Sequence, residues 1–350
     1  DPKFAWELVN TWSRSGQSDE EWAEIEAAAK MCPRDPFLMN RSRILSDWNG
    51  FLTLHSGASI QLANQEWQGG NLPHYSNDPR LIREAAIRVG TGWGHEHYDT
   101  LDLRLFAFGL TMTGDFNQRK AYGKPSHFLT LVHNLVVVDR KNWMGHAWIR
   151  DLFDAPGSPY LTAESIAPQE IKDVKLYRRQ VAMINVEDGT ESKNENPLAD
   201  PKIKLPSQYV FDVFRVSGGS EHAYGFHGCV DDGFDVNVKN KEAATGGFLQ
   251  PFWPTRPTTN LQGGAIGGWS IRKTPEFWSA DPDGNHLVAT WKLFPKADKR
   301  MARGFAPVPG DKFTRLTLVN PEESRILHGI ARSSGMDGYY GRCLYVVKGK

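Results

Sequence analysis

The run Tyr209-Val-Phe-Asp-Val-Phe-Arg-Val216, closed by Ser217-Gly-Gly-Ser220, decides the fold class. Aromatic and β-branched residues dominate the run and glycines end it, which is how a β-strand running into a tight turn reads. The same signal recurs along most of the chain. Gly50-Phe-Leu-Thr-Leu-His55, Leu101-Asp-Leu-Arg-Leu-Phe106 and Leu135-Val-Val-Val-Asp139 are short strand-like runs. His286-Leu-Val-Ala-Thr-Trp-Lys-Leu-Phe294 and Tyr345-Val-Val347 continue the series, with Asp281-Pro-Asp-Gly-Asn285 as a turn before the former. Short strands separated by turn residues predict a mainly β protein, an antiparallel β-sandwich. Asp231-Asp232-Gly233 reads as a further turn, and the polar stretch from Val186 to Pro206 as a long exposed loop.

Helical signals are confined to the start. Phe4 to about Met31 reads as two helices: Ser18 and Glu21 form a capping box, Trp22, Ile25 and Ala29 recur at helical spacing, and Pro33 ends the pattern. Two helices cannot enclose a core, so they pack on the β part or close a larger helical domain.

Composition narrows the function. Lys+Arg and Asp+Glu both total 41 in 350 residues, a balance that argues against a nucleic-acid partner. An acidic polysaccharide is compatible with it, because a neutral protein can carry a locally basic cleft. Cys32, Cys229 and Cys343 stand far apart, which predicts neither a disulfide framework nor a cysteine zinc cluster. No apolar run is long enough to span a bilayer. Twelve tryptophans suit a loop-rich β protein, some packing the core and others available to stack on sugars.

The chemistry concentrates in Gly94-His-Glu-His-Tyr-Asp99, which runs into the Leu101 strand. If the strand period extends backwards, His95, His97 and Asp99 share a face with Leu101 and Leu103, while Glu96, Tyr98 and Asp102 point the other way. Two imidazoles on one face can converge on a metal or a substrate, although histidines merely packed in a sheet give the same spacing. Asp115 ends the next apolar run, and His133 precedes the Leu135 strand. Antiparallel neighbours would bring such residues together, and a His/His/Asp set suits zinc. The plainer alternative has Asp115 capping a turn and His133 bonded to a carbonyl.

These segments resemble the heparinase II/III-type polysaccharide lyases in content and order. Gly94-His-Glu-His-Tyr-Asp99 is similar to the "GHxHxD" strand of that family, Gly114-Asp115 falls where it has an Asp, and Val132-His-Asn-Leu-Val-Val-Val-Asp139 looks like its "SHNTVVVD" stretch. Val132 replaces the usual Ser there. The Tyr209 run followed by Phe226-His-Gly228 is similar to a later segment.

The resemblance implies a supersandwich over 46–350, preceded by a helical segment over 1–45 that is the end of an (α/α) toroid. It implies a structural zinc held by His97, Asp115 and His133, with His95 facing the cleft as the catalytic residue. It implies β-elimination on a uronic-acid polysaccharide in the periplasm or outside the cell. The family draws its catalytic Tyr from the toroid, and no Tyr precedes Tyr75 here, so the expected partner is an upstream toroid segment of the same enzyme. A noncatalytic carbohydrate-binding sandwich and a metal-dependent hydrolase are the alternative readings. His127, Arg119, Lys120, Trp253 and Arg256 are secondary candidates for sugar contact.

Overall fold

The computed structural model describes residues 18–30, 43–44, 51–57, 59–60, 82–89, 98–107, 110–113, 130–143, 145–153, 158–167, 171, 173–186, 203–204, 207–228, 231–243, 278–293, 312–332 and 340–349. Helix α1 (Asp19–Lys30) is followed by β1 (Arg43–Ile44), β2 (Phe51–Gly57), β3 (Ser59–Ile60), β4 (Ile82–Arg88), β5 (Leu103–Ala107) and β6 (Leu110–Thr113). A 3-10 turn at Thr130–Val132 leads to β7 (Val136–Val138), β8 (Ala147–Phe153), β9 (Tyr160–Ser165), β10 (Leu176–Val186), β11 (Ile203–Lys204) and β12 (Ser207–Ser217). Then come β13 (Glu221–His227), β14 (Asp231–Val236), β15 (Val238–Ala243), β16 (Trp278–Pro282) and β17 (His286–Leu293). The series ends with β18 (Phe313–Val319), β19 (Arg325–Arg332) and β20 (Tyr340–Gly349).

The chain is mainly β, and all pairings among the described strands are antiparallel. Strands order as β1-β2-β4-β5-β6, β12-β10-β9-β8, β11-β3, β15-β16-β19-β20-β13-β7 and β14-β17-β18. The capping box forms as read: the Ser18 amide donates to Glu21 Oε2 (2.8 Å) and the Glu21 amide to Ser18 Oγ (3.2 Å). Trp22 on this helix is buried. The first expected helix lies outside the described residues.

Two apolar layers hold the sheets together. In the first, Tyr177, Val181 and Met183 of β10 and Leu161 and Ala163 of β9 pack on Ile87, Leu103, Val136, Val138 and Trp143. In the second, Trp278, Leu287, Ala289 and Trp291 pack on Phe226, Ile326, Leu344 and Val346. Each Val, Leu, Ile, Met or Phe among them contributes roughly 1.5–3 kcal/mol of transfer free energy when fully buried. Tyr224 touches both layers, so β13 links them.

The Tyr209 run is the middle of β12, paired over its whole length with β10. Its turn needs glycine. Gly218 has φ 99° and Gly219 φ 81°, and a Cβ on Gly218 would come within 1.8 Å of the Asp173 carbonyl oxygen. Asp231-Asp232-Gly233 is not a turn: it opens β14, where a bulge leaves Asp232 as the extra residue between Asp231, opposite Leu293, and Gly233, opposite Lys292. Of the stretch from Val186 to Pro206, Ile203 and Lys204 form a strand against Ile60 and Ser59 rather than exposed loop, and 187–202 lie outside the described residues.

One polar element sits within the first apolar layer. Arg179 of β10 is fully buried and bonds Asp212 of β12 through both Nε (2.9 Å) and Nη2 (2.7 Å). Its Nη1 donates to the carbonyls of Leu101 (2.6 Å) and Asn134 (2.5 Å), and Tyr224 Oη donates to Asp212 Oδ2 (3.1 Å). Removing one partner of such a pair strands the other charge away from water. Asp212→Ala is expected to lower stability by roughly 3–5 kcal/mol, with Arg179→Met/Asp212→Leu recovering most of it. Urea denaturation of the three proteins checks this; a double variant no more stable than Asp212→Ala contradicts it.

Candidate functional site

Where the Leu101 strand is expected to extend backwards, the described residues turn instead. Tyr98 to Asp102 is a bend and turn, the strand begins at Leu103, and the Asp102 amide closes the turn on the Asp99 carbonyl (2.8 Å). Leu101 adopts φ 68°, a left-handed conformation costing a non-glycine residue on the order of 1–2 kcal/mol. Long-range bonds hold it there: its amide donates to the Arg88 carbonyl (2.8 Å), and its carbonyl receives Arg179. Asp99 and Asp102 therefore do not alternate between two faces. Both are buried, and both accept from Arg104, Asp99 through Nη2 (3.1 Å) and Asp102 through Nε (3.0 Å). Arg88 lies 3.6 Å from Asp99 on its other side.

His133 and Asn134 come from the second motif segment. The Thr130–Val132 turn delivers them, the His133 amide donating to the Thr130 carbonyl (3.1 Å). Thr130 Oγ1 in turn accepts from the Trp143 amide (2.6 Å), and Trp143 stacks on Tyr177 with ring centroids 3.7 Å apart. Asn134 is fully buried and bonds in four directions. Its amide donates to Asp102 Oδ1 (2.8 Å), its Nδ2 to the Leu103 carbonyl (3.0 Å), its Oδ1 accepts from the His227 amide (2.8 Å), and its carbonyl receives Arg179. Gly225 lies tight against this segment: a Cβ there would meet the His133 carbonyl oxygen at 3.2 Å and the Tyr345 ring at 3.1 Å.

The electrostatics follow from this packing. Burial pushes the Asp99 carboxyl above its usual value, against the pull of His133, Arg104 and Arg88 and with a further push from Asp102. His133 is thus a buried imidazole close enough to the Asp99 carboxyl to act on its charge. Burial also raises the phenols of Tyr177, Tyr224 and Tyr345 far above their ordinary value, so each stays a hydrogen-bond donor: Tyr177 to the Val136 carbonyl (2.7 Å), Tyr345 to that of Leu131 (3.0 Å).

Of the site residues expected from sequence, His133 is described and lies in this cluster. His95, His97 and Asp115 lie outside the described residues, as do Arg119, Lys120, His127, Trp253 and Arg256. Among the described residues no group of three His, Cys, Asp or Glu side chains is disposed to hold a metal ion. The sequence reading missed Arg104, Asn134, Arg179 and Asp212. One signal was available: Asp212 alternates with Val210, Phe214 and Val216 on the face of β12 that packs inward, and an acid there requires a buried cation.

No family model matches the chain, and no curated protein matches it in sequence. Solved structures similar to it include a mutant heparan sulfate lyase from Pedobacter heparinus, at TM-score 0.43 and 12% identity over 100% of this chain and 40% of that one. A heparinase III gives TM-score 0.40 and 10% identity over 88% of this chain and 34% of that one. A second heparinase III gives TM-score 0.38 and 10% identity over 100% and 42%. The chain thus spans about two fifths or less of the length of these structures. No helix among the described residues is long and apolar enough to cross a membrane, which says nothing of β-barrels.

Asp139, the last residue of the second motif segment, fixes the exit of β7. It adopts φ 49°, and its Oδ1 accepts the amides of Ser220 (2.6 Å) and Glu221 (2.9 Å). Burial raises its pKa, but those two amides, with Lys141 and His222, lower it more, and the net shift is downward. A depressed carboxyl stabilises the fold above its unfolded pKa and loses that contribution as pH falls through the folded value. Asp139→Asn, which tolerates the same backbone, is expected to be less stable than the parent at neutral pH. The gap should close as pH drops below ~4. Paired melts across pH check this, and a gap that does not vary with pH contradicts it.

Proposed function

We propose that the chain forms the β part of a polysaccharide lyase that cleaves a uronic-acid-containing polysaccharide by β-elimination. One observation carries the reading. The described residues at the end of the first motif segment and just after it meet the start of the second: the His133 imidazole acts on the Asp99 carboxyl, and Asp102 accepts the Asn134 backbone amide at 2.8 Å.

The chemistry sets what the site must supply. A base removes the proton alpha to the sugar carboxylate, the electron pair forms a carbon–carbon double bond, and the bond to the leaving glycosidic oxygen breaks as an acid protonates that oxygen. The alpha carbon gives up its proton only where donors or cations take up the negative charge that develops on the neighbouring carboxylate. In this reading His95 faces the substrate as donor or base. The second proton-transfer group, a Tyr, comes from an upstream helical toroid, so residues 1–350 without it make no product. Localisation in the periplasm or outside the cell belongs to the same reading.

We assign zinc to His97, Asp115 and His133. The described member fits that role: His133 is buried, and nitrogen with carboxylate oxygen is a donor set zinc accepts. The metal, when bound, supplies a fixed positive centre that ties three chain segments together. Asp99, Asn134 and Arg179 hold the His133 segment in place from the protein side.

Metal analysis of the purified chain is expected to find about one zinc per molecule, lost in His97→Ala and in His133→Ala together with thermal stability. Full metal content in both variants removes the assignment. In the complete enzyme, His95→Ala should abolish the ultraviolet-absorbing unsaturated product while leaving zinc content and Tm near the parent values. A collapse of Tm would instead make His95 a ligand or a core residue.

A further inference from the structure

The sheet β12-β10-β9-β8 has two faces of different character. Tyr177, Arg179, Val181 and Met183 of β10 turn inward onto the first core, so Arg178, Gln180 and Ala182 turn outward. Cross-strand register then sets the outward rows. Ala182 lies between Phe211 of β12 and Tyr160 of β9, and Arg178 lies between Arg215 of β12 and Glu164 of β9.

In the first row the small Ala182 side chain lies between two larger aromatic residues, Phe211 and Tyr160, which leaves a shallow trough in the row. Phe211 is 55% exposed. Tyr160 is held in place through its hydroxyl, which receives Gln180 Nε2 (2.6 Å) and shares a hydrogen bond with Thr162. Gln180 and the Tyr160 hydroxyl thus sit beside the trough as polar groups. Ring faces flanking a flat floor accept the apolar C–H face of a pyranose, and neighbouring amide and hydroxyl groups can bond its hydroxyls.

The second row adds charge. Arg178 and Arg150 both bond Glu164, at 2.8 Å through Arg178 Nε and 3.0 Å through Arg150 Nη2. Arg215 is exposed, stands directly opposite Arg178, and pairs with no carboxylate among the described residues. Like charges opposite one another across strands are destabilising, and an anion between them relieves the repulsion. The outward groups of this sheet carry Arg150, Arg178 and Arg215 against Glu164 and Asp151, one net positive charge on a chain whose total is zero. Four residues along β10 separate Ala182 from Arg178, roughly 13 Å at ~3.3 Å per residue, a span for more than one sugar ring.

We propose that this outward face binds an anionic sugar chain, one ring stacking over Ala182 between Phe211 and Tyr160 and a carboxylate or sulfate lying at Arg215 and Arg178. The face is turned away from Arg179 and Asn134, and the binding needs no elimination chemistry. It holds or fails independently of the lyase reading: His95→Ala leaves it intact.

The test is calorimetric titration of the full chain with a heparin-derived octasaccharide and with hexagalacturonate, using maltohexaose as the neutral control and poly-L-glutamate as an anionic peptide. Phe211→Ala and Arg215→Gln are each expected to weaken binding of at least one acidic sugar about tenfold, with Tm unchanged because both side chains are exposed. Arg215→Gln should also flatten the salt dependence, and maltohexaose should bind neither parent nor variants. Parent-like affinity in both variants overturns the proposal. So does equal binding of poly-L-glutamate, or a parent that is a dimer and becomes monomeric with Phe211→Ala while sugar affinity stays the same. Where Phe211→Ala lowers Tm, Phe211→Leu replaces it: apolar bulk without a ring face should preserve stability and still lose the sugar, and retained affinity overturns the proposal.

Discussion

The buried guanidinium of Arg179 is the interaction on which the arrangement of motif segments depends. It joins four segments at one point: its own β10, β12 through Asp212, the Leu101 turn and the Asn134 segment. Arg179 has no exposed surface, so every donor must find a protein acceptor, and its planar fork fixes where those acceptors stand. Phe214 lies under the same group, its ring centroid 5.2 Å from the guanidinium carbon.

The consequences spread outward from there. The Leu101 carbonyl meets Arg179 from a left-handed conformation, within a turn after which the strand starts at Leu103 and from which Asp99 and Asp102 both reach Arg104. Asn134 is drawn in by the same guanidinium and completes the contact by donating its amide to Asp102. His133, one residue earlier, is then delivered beside Asp99. A side chain on β10 that belongs to neither motif thus ties the turn after Asp99 to the His133–Asn134 segment. Preorganisation of this kind acts on orientation, the property that decides whether a donor or a ligand meets its target.

What was legible in the sequence is what local chemistry controls. The Ser18–Glu21 capping box, the glycine turn after Val216 and the strand runs around Val136, Val213 and Ala289 all formed, because period, propensity and turn residues suffice to specify them. Asp102 was misread for the opposite reason. Strand alternation assigned it away from Asp99, but a turn imposed by contacts from β4, β10 and the Asn134 segment overrode the local period. Arg179 was unreadable because Arg178 and Arg179 adjoin in a polar stretch that resembles an exposed edge. Nothing local marks which of the two turns inward. The zinc triad and His95 were legible only through family resemblance, since His97 and Asp115 acquire meaning from partners far along the chain.

Those adjacent arginines show how the fold separates two uses of one side chain. Arg178, partly exposed and bonded to Glu164, forms the kind of surface pair worth about 0–1 kcal/mol. Glu164 itself is held below the usual carboxylate range by its bonds to Arg150 and Arg178, which outweigh its slight burial. Arg179, one residue on, is irreplaceable by its neighbour. A one-residue slip of β10 against β12 would carry Tyr177, Val181 and Met183 out of the core and leave Asp212 opposite a residue facing outward. Apolar packing alone penalises that slip by lost burial, and the ion pair adds the cost of a carboxylate left in the interior without its cation. The charge pair therefore acts chiefly on register: buried among Tyr177, Phe214 and Tyr224, it permits one alignment of β10 and β12, and in that alignment the polar groups of the Leu101 turn and of Asn134 are satisfied.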